Sequence, residues 1–389
     1  MNGQTRVILI CSSDNHNLIM SHERLLQTVV SVLIMAGYNV SERCKMRPRS
    51  FDLIARKGDN IIIIKIVPHI DSVGEESAHN FAFIAKHLHA TPIIIGEKAR
   101  DFELERGAVY LRYGIIATSS TTFYDFFVDN VPPLVYAQPG GLYVNINGSK
   151  LRELRESRNM SLGDLAGSLG VSRRTISKYE SGMSTTLDIA IRLEEIFDSA
   201  IVEAINLLSH GTAGGIEAVL DLGGKSRESG RSKKKGAAGQ AGGTDIAGIG
   251  VGAGAGVGNG AGTGSAAVGG AGDGVKGIGG GSSDAAGAIK MPQDFERMGI
   301  ITHTMQRAPF EALCFYEEST ILTGYGSSQK ALKRAALIGN ISDIIDTKAV
   351  CVLTDYQKRK KIGRTLIISE EELGTLDNGS ELIALIDES

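Results

Sequence analysis

From Gly148 to Phe197, apolar residues recur at helical spacing in a series of short runs. Residues 150–158 place Leu151 and Leu154 on one face, with Arg152, Arg155 and Arg158 around the rest. Asn159 and Met160 interrupt the pattern. Ser161 is then a natural N-cap for a second helix, with Asp164 in its first turn and its end near Ser168. Gly170 supplies a residue that takes positive φ without steric cost, as a tight turn needs. Ser172 caps a third helix, SRRTISKYES, whose Ile176 and Tyr179 face inward and leave Arg173, Arg174, Thr175, Ser177 and Lys178 pointing elsewhere. Gly182 stops it, and Ser184–Thr186 are expected to cap a closing amphipathic helix, TLDIAIRLEEIF.

Before this stretch the period shortens. A strand at Arg6–Cys11 precedes a helix from about Ser21 to Met35, ended by Gly37. FDLIAR and IIIIKIV flank a turn at Lys57–Asn60, and the second of these strands is apolar on both faces, as a central strand should be. A helix over Glu75–Leu88, a buried strand TPIIIG and a final strand–helix from Val109 to Val128 complete an α, β, β, α, β, β order.

The same pattern returns near the C-terminus. GIITHTMQRAPFEAL reads as a strand feeding a second hairpin. FDLIARKGDNIIIIKIV (51–67) then aligns without a gap on FEALCFYEESTILTGYG (310–326), TPIIIGEKARDF has its counterpart in KAVCVLTDYQKR, and GAVYLRYGIIATSSTTFYDFF in IGRTLIISEEELGTL. One supersecondary unit used twice accounts for this, and chance similarity between two α/β segments is the competing reading.

Between the bundle and the second copy the composition changes. KSRESGRSKKKG (225–236) is basic, and from there to about Ala288 the chain is almost wholly Gly, Ala, Ser and Val. So few large apolar side chains cannot offset backbone ordering, so this tract is expected to be a disordered linker. Its GDGVKG matches a phosphate-binding spacing, but no strand precedes it and no helix follows, so it carries no weight. The cluster at Arg231–Lys235 reads either as a solvated linker flank or as a source of nonspecific phosphate attraction. The chain therefore divides into an α/β domain (1–135), an all-α bundle (136–210), a disordered basic and then Gly/Ala-rich linker (223–289), and a second α/β domain (290–389) resembling the first.

Charge sharpens the picture locally. The whole chain carries −3, so any attraction to a polyanion is confined to part of it. Between Lys150 and Gly182 seven basic residues face four acidic ones, a balance of +3, and the acid collects on the following helix at Asp188, Glu194, Glu195 and Asp198. Cys11, Cys44, Cys314 and Cys351 are scattered without a C-x-x-C pair and read as buried reduced thiols rather than a zinc or redox site. No apolar run approaches the ~18 residues of a membrane span, and the N-terminus lacks the layout of a signal peptide. A cytoplasmic location is expected.

The spacing of Leu165, Ala166, Gly170, Val171, Ile176 and Tyr179 strongly resembles the Cro/cI-type helix-turn-helix (HTH) family. That resemblance makes Ser172–Ser181 the recognition helix, with Arg173, Arg174, Thr175 and Lys178 where the family reads base edges in the major groove. It also makes Arg155 and Glu180 a structural pair, and so keeps them off the DNA-contact list. One departure is Leu162, where the family often has a phosphate-bracing Gln; clamping then falls to Ser161, Ser172, Thr185/Thr186 or backbone amides.

The N-terminal order resembles the restriction-endonuclease-like fold. In active members an Asp and a Glu-x-Lys hold divalent metal; here Asp52 and Lys65 stand at two of those positions and Ile63 at the third. In the second copy the set is Glu311, Leu322 and Gly324. Neither set suits Mg²⁺, which requires oxygen ligands, so the domain is expected to be degenerate, with no metal, no cofactor and no catalytic residue. Asp52 then reads as a polar residue at a strand start and Lys65 as a paired or snorkelling lysine. His69, His79, His87 and His89 share no ligand spacing, and His87 and His89 read as surface residues.

The layout as a whole looks like the archaeal HTH-type transcriptional regulators. This implies a sequence-specific DNA-binding regulator without catalysis, acting on double-stranded DNA as a homodimer, with Ser161, Ser172, Arg173, Arg174, Thr175, Ser177 and Lys178 at the DNA. The alternatives are an HTH-targeted DNA nuclease and a nonspecific architectural binder.

Overall fold

The computed structural model describes residues 22–46, 49–100, 102–138, 141–208, 291–305, 307–355 and 358–388. The strand expected at Arg6–Cys11, Cys11 itself, the basic cluster Arg231–Lys235, GDGVKG and the Gly/Ala tract lie outside these residues.

The first α/β unit begins with helix α1 (22–35), closed by Gly37 at φ 80°. Strand β1 (Asn39–Val40) pairs with β2 (Leu53–Lys57), which turns at Gly58 into β3 (Asn60–Ile66). Helix α2 (Glu75–His87) carries the chain to β4 (Thr91–Gly96), parallel to β3. A two-stranded ribbon, β5 (Lys98–Ala99) and β6 (Phe102–Glu103), leads to the hairpin of β7 (Ala108–Arg112) and β8 (Ile115–Ser119), and then to α3 (Ser120–Phe127). The run from Val109 to Val128 is thus a hairpin plus a helix, because Tyr113 and Gly114, both at positive φ, make a reversal that the apolar pattern alone hides.

β3 explains itself once its neighbours are in place. Ile62, Ile64 and Ile66 join the core beneath α1 and α3, while Ile63 faces the opposite core with α2. A strand buried on both faces has no use for alternation.

The sheet does not stop at residue 135. β9 (Val135–Gln138) adds in parallel to the outer edge of β7, and β10 (Gly141–Val144) and β11 (Thr185–Thr186) extend it to nine strands in the order β1-β2-β3-β4-β8-β7-β9-β10-β11. After the helical bundle the chain returns. Ile205 and Leu207 are buried in the core under α1, and Ile205 N donates to Pro133 O at 2.8 Å.

The second α/β unit repeats the first in backbone detail. A short helix α8 (Asp294–Arg297; the bundle holds α4 to α7) and β12 (Ile301–Thr304) precede the hairpin of β13 (Ala312–Tyr316) and β14 (Ser319–Gly326). Then follow α9 (Ser328–Ile345), β15 (Lys348–Leu353), the hairpin of β16 (Lys360–Ile362) and β17 (Thr365–Ser369), α10 (Glu370–Gly374) and α11 (Gly379–Glu388). Leu53 opposes Ile64 as Ala312 opposes Thr323, in the gapless register of the sequence alignment. The turn residue Gly58 (φ 58°) falls on Glu317 (φ 51°), and Ser119, which caps α3, falls on Ser369, which caps α10.

The two sheets enclose a shared core. α2 contributes Phe81 and Ile84, α9 contributes Ala335 and Ile338, and both hairpins supply their inner faces, Ile54 and Ile63 from one and Leu313 and Leu322 from the other. The units also join directly: Ser50 N donates to Arg307 O at 2.6 Å and Glu42 N to Asn340 Oδ1 at 2.6 Å. His87 belongs to this seam rather than to the open surface. Its ring stacks on His303 at 5.4 Å and lies 4.3 Å from Phe83 and 5.0 Å from Phe315. Cys44, Cys314 and Cys351 are free and buried, and burial pushes the Cys351 thiol up to about 12. Among the described residues no helix is long and apolar enough to cross a membrane.

Candidate nucleic-acid interface

The bundle is built from four helices: α4 (Gly148–Ser157), α5 (Leu162–Leu169), α6 (Arg173–Glu180) and α7 (Leu187–Phe197). Their inner faces form one cluster containing Leu151, Leu165, Ala166, Leu169, Ile176, Tyr179, Leu193 and Phe197. α5 opens with a capping box. Ser161 Oγ accepts from Asp164 N, and Ser161 N in turn donates to Asp164 Oδ2 at 2.8 Å, which holds the Asp164 carboxyl below its usual range. Gly170 at φ 70° closes α5 and delivers the chain to Ser172, whose Oγ accepts from Thr175 N at 3.1 Å to start α6.

Two close approaches fix how α6 lies. A side chain at Gly148 would collide with the Glu180 carbonyl and lie 2.7 Å from Tyr179 O, so the start of α4 meets the end of α6 backbone to backbone. Arg155 then clamps the same end: its Nε donates to Glu180 Oε1 at 2.6 Å, its Nη2 to Oε2 at 3.2 Å and its Nη1 to Met160 O at 3.0 Å. The Glu180 side chain is only 4% exposed. Arg152 adds a third bond to it, Nε to Oε2 at 3.3 Å, which the sequence pattern does not single out.

Other arginines of the bundle are likewise engaged. Arg158 donates to the carbonyls of Ile196 and Phe197 at the end of α7, and Arg192 to those of Ser168 and Leu169 at the end of α5. Cations on the last carbonyls of a helix satisfy orphan acceptors and favour the dipole. What remains outside is a short row on α6: Arg173, Arg174, Ser177 and Lys178 are exposed and Thr175 is half-buried. Arg174 and Lys178 have no side-chain partner among the described residues. Arg173 lies over Gly163, where an added Cβ would come 2.9 Å from its Nε, and its charge helps hold Asp164 ionised.

The phosphate-clamp expectation needs one correction. Thr185 is buried and paired through its backbone with Val144, and its hydroxyl finds no partner among the described residues. Nor does Thr186 cap α7 with its side chain. Strand pairing wins here because Thr185 and Thr186 continue the sheet edge offered by β10. Ser161 and Ser172 stay exposed, each already accepting a cap bond.

The restriction-endonuclease-like centre lies elsewhere in the molecule. Asp52, 1% exposed, accepts from Arg49 Nε on Oδ1 and from Ile66 N on Oδ2 at 2.8 Å. Lys65 Nζ donates to Arg49 O at 2.7 Å, and burial pushes its ammonium below the usual lysine range. Ile63 is fully buried and apolar. In the second copy Glu311 accepts from Arg334 and from Tyr325 N at 3.1 Å, and Gly324 takes the lysine position because any side chain there would meet Cys351 Sγ at 2.5 Å. A guanidinium on the carboxylate and an aliphatic side chain beside it do not suit a divalent cation, which wants several oxygen ligands. Among the described residues no three His, Cys, Asp or Glu stand close enough to share a metal.

A helix-turn-helix on the edge of an α/β unit with restriction-endonuclease topology defines the class. The PD-(D/E)XK superfamily domain matches residues 22–133 and the helix-turn-helix family residues 151–203. A protein of Methanoculleus marisnigri is 48% identical over 369 residues, covering 95% of this chain and all of its own length. One from Methanosphaerula palustris is 49% identical over 368 residues with 95% and 100% coverage, and one from Methanosarcina mazei is 34% identical over 377 residues with 95% and 98%. All three bear the name "Putative HTH-type transcriptional regulatory protein", and the chain belongs to this archaeal family. No solved structure matches it.

Proposed function

We propose that this chain is a sequence-specific DNA-binding transcriptional regulator that inserts α6 into the major groove. The exposed row Arg173, Arg174, Ser177 and Lys178, on a helix whose underside is locked by Ile176 and Tyr179, carries the reading. Arg174 pairs bidentately with guanine O6 and N7, Arg173, Thr175 and Lys178 meet bases or phosphates, and Ser161 and Ser172 line the backbone side. The names of the relatives support the regulatory role. The unit that binds is residues 136–210, carried by the α/β domain 1–135 and followed, after the linker 223–289, by the α/β domain 290–389. A homodimer in the cytoplasm presents two recognition helices about one DNA turn (~34 Å) apart to a pseudo-palindromic operator.

Genome-wide binding-site mapping, followed by footprinting on the recovered motif, tests this. A regulator protects discrete sites over competitor DNA, and Arg174→Ala costs about 1–3 kcal/mol at one base pair of the site. Equal loss on all sequences would demote Arg174 to a phosphate contact, and uniform protection would leave an architectural binder.

The match to the PD-(D/E)XK superfamily favours a second reading, a nuclease targeted by its helix-turn-helix. It requires Mg²⁺- or Mn²⁺-dependent cleavage abolished by Asp52→Asn. We hold that neither copy cleaves, given the Arg49–Asp52 and Arg334–Glu311 pairs and the apolar Ile63 and Leu322. Cleavage by the wild-type protein with either metal would overturn that position.

A further inference from the structure

The six strands β12 to β17 of the second α/β unit each have an equivalent in the first, but the outer edges of the two units are not finished alike. In the first, β7 receives β9 in parallel, with Ala108, Val109 and Tyr110 opposite Val135, Tyr136 and Ala137. In the second, the strand equivalent to β7 is β16: Tyr110 opposes Ala117 on β8 as Lys360 opposes Ile367 on β17. Yet among the described residues β16 ends its sheet. The positions that take β9 in the first unit are, in the second, Lys358 and Arg359, which lead into β16, and Lys360, its first residue.

This open edge is strongly charged. Residues 358–364 read KRKKIGR, five basic residues in seven with no acid. Arg359 is tied to Glu372, and Arg364 to Asp343 and Asp346. Lys358, Lys360 and Lys361 are exposed and have no side-chain partner among the described residues. Lysines on an edge strand discourage pairing with ordinary, uncharged strands. They do not discourage a strand of opposite charge.

We propose that β16 is a docking edge for an extended acidic segment of a partner protein, which adds to the sheet in parallel as β9 adds to β7. Backbone hydrogen bonds supply the ladder and the three lysines select for glutamate or aspartate. The equivalence of the two edges favours this occupant over a DNA backbone, because the same edge already holds a strand in the first unit, and a phosphodiester chain has no N–H donors with which to form a ladder.

The full-length protein is titrated with a fluorescent peptide of alternating glutamate and threonine, its N-methylated analogue, a lysine–threonine peptide and a labelled DNA duplex lacking the operator. The expected result is saturable binding of the acidic peptide but not of the lysine–threonine peptide, while any duplex binding through α6 is the same in K358E/K360E as in the wild type. Binding of the acidic peptide should weaken about tenfold or more on backbone N-methylation and in the K358E/K360E variant. Amide exchange should slow at residues 358–362 on binding. Equal binding of the N-methylated peptide, or no preference over the lysine peptide, overturns the proposal. So does loss of duplex binding, rather than peptide binding, in K358E/K360E. Operator binding through α6, measured on the same variant, is expected to be unchanged and keeps this test separate from that of the regulatory reading.

Discussion

Asp52 and Glu311, 259 positions apart, hold the same bond. Asp52 Oδ2 accepts from Ile66 N at 2.8 Å and Glu311 Oε2 from Tyr325 N at 3.1 Å, each carboxylate crossing its own hairpin to the end of the second strand. Each also carries an arginine, Arg49 from the segment just before β2 and Arg334 from α9. Both carboxylates act as staples of the fold. Asp52→Ala therefore leaves a buried N–H and a guanidinium without their acceptor, and a loss of about 3 kcal/mol in denaturant unfolding is expected. The double change Arg49→Met with Asp52→Leu should recover the part owed to the unpaired guanidinium, since an apolar pair has no charge to satisfy, but not the part owed to Ile66 N–H, which still lacks an acceptor. If the single change leaves the unfolding midpoint in place, the staple reading is wrong.

Much of this architecture was legible from the chain because periodicity and chemistry agreed. The gapless register of the two hairpins, Gly170 in its left-handed turn, and Ile176 and Tyr179 on the buried side of α6 all follow from local pattern. What stayed hidden depended on partners far along the chain. Nothing near Thr185 shows that β10 will recruit it into a sheet, and nothing near His87 points to His303. Arg152, Arg158 and Arg192 look like members of a basic face until the carbonyls and the carboxylate they serve come into view. The hairpin of β7 and β8 is hidden because its reversal begins at Tyr113, a residue that rarely takes positive φ, before Gly114 completes it.

The Arg155–Glu180 clamp ties α6 to α4, so its loss should weaken DNA binding without regard to sequence. Arg155→Ala leaves a carboxylate whose side chain is 4% exposed with only Arg152 for company. The expected cost is about 2 kcal/mol or more in stability, with DNA affinity reduced on operator and competitor alike. Arg152→Ala, at a position 58% exposed, should cost about 1 kcal/mol at most. Melting curves and gel-shift titrations on both variants check this. A change in base preference in Arg155→Ala would place that residue at the DNA instead.

Gly148 is needed for its lack of a side chain rather than for its backbone freedom. Gly148→Ala drives a methyl group into the carbonyls of Tyr179 and Glu180. Overpacking of this kind costs about 1–3 kcal/mol. Because α6 must shift to relieve it, operator affinity should fall along with the melting temperature. Retention of both would mean that α4 and α6 have slack at their crossing.

Thr185→Val separates a strand residue from a phosphate contact. The hydroxyl is buried without a partner among the described residues, so removing it should leave stability unchanged or raise it by about 1 kcal/mol. DNA binding should be unaltered. A drop in affinity at low salt that vanishes at high salt would restore Thr185 to the phosphate-contacting set.

His87 gives the seam between the two α/β units a dependence on pH. Burial first, and His303 second, push its pKa below the ordinary histidine value of about 6.5. A base whose folded pKa is depressed binds its proton more readily when unfolded. Its contribution to stability is therefore present above the unfolded pKa and is lost as pH falls through the folded one. His303 across the seam and Lys86 and His89 along the chain add their charge to the effect of burial, while Glu317 and Glu318 line the same cavity. The melting temperature should decline on acidification from pH 7 to pH 5, and His87→Gln, which keeps a polar planar group but cannot titrate, should flatten that slope. An identical slope in wild type and variant would assign the acid sensitivity to other groups.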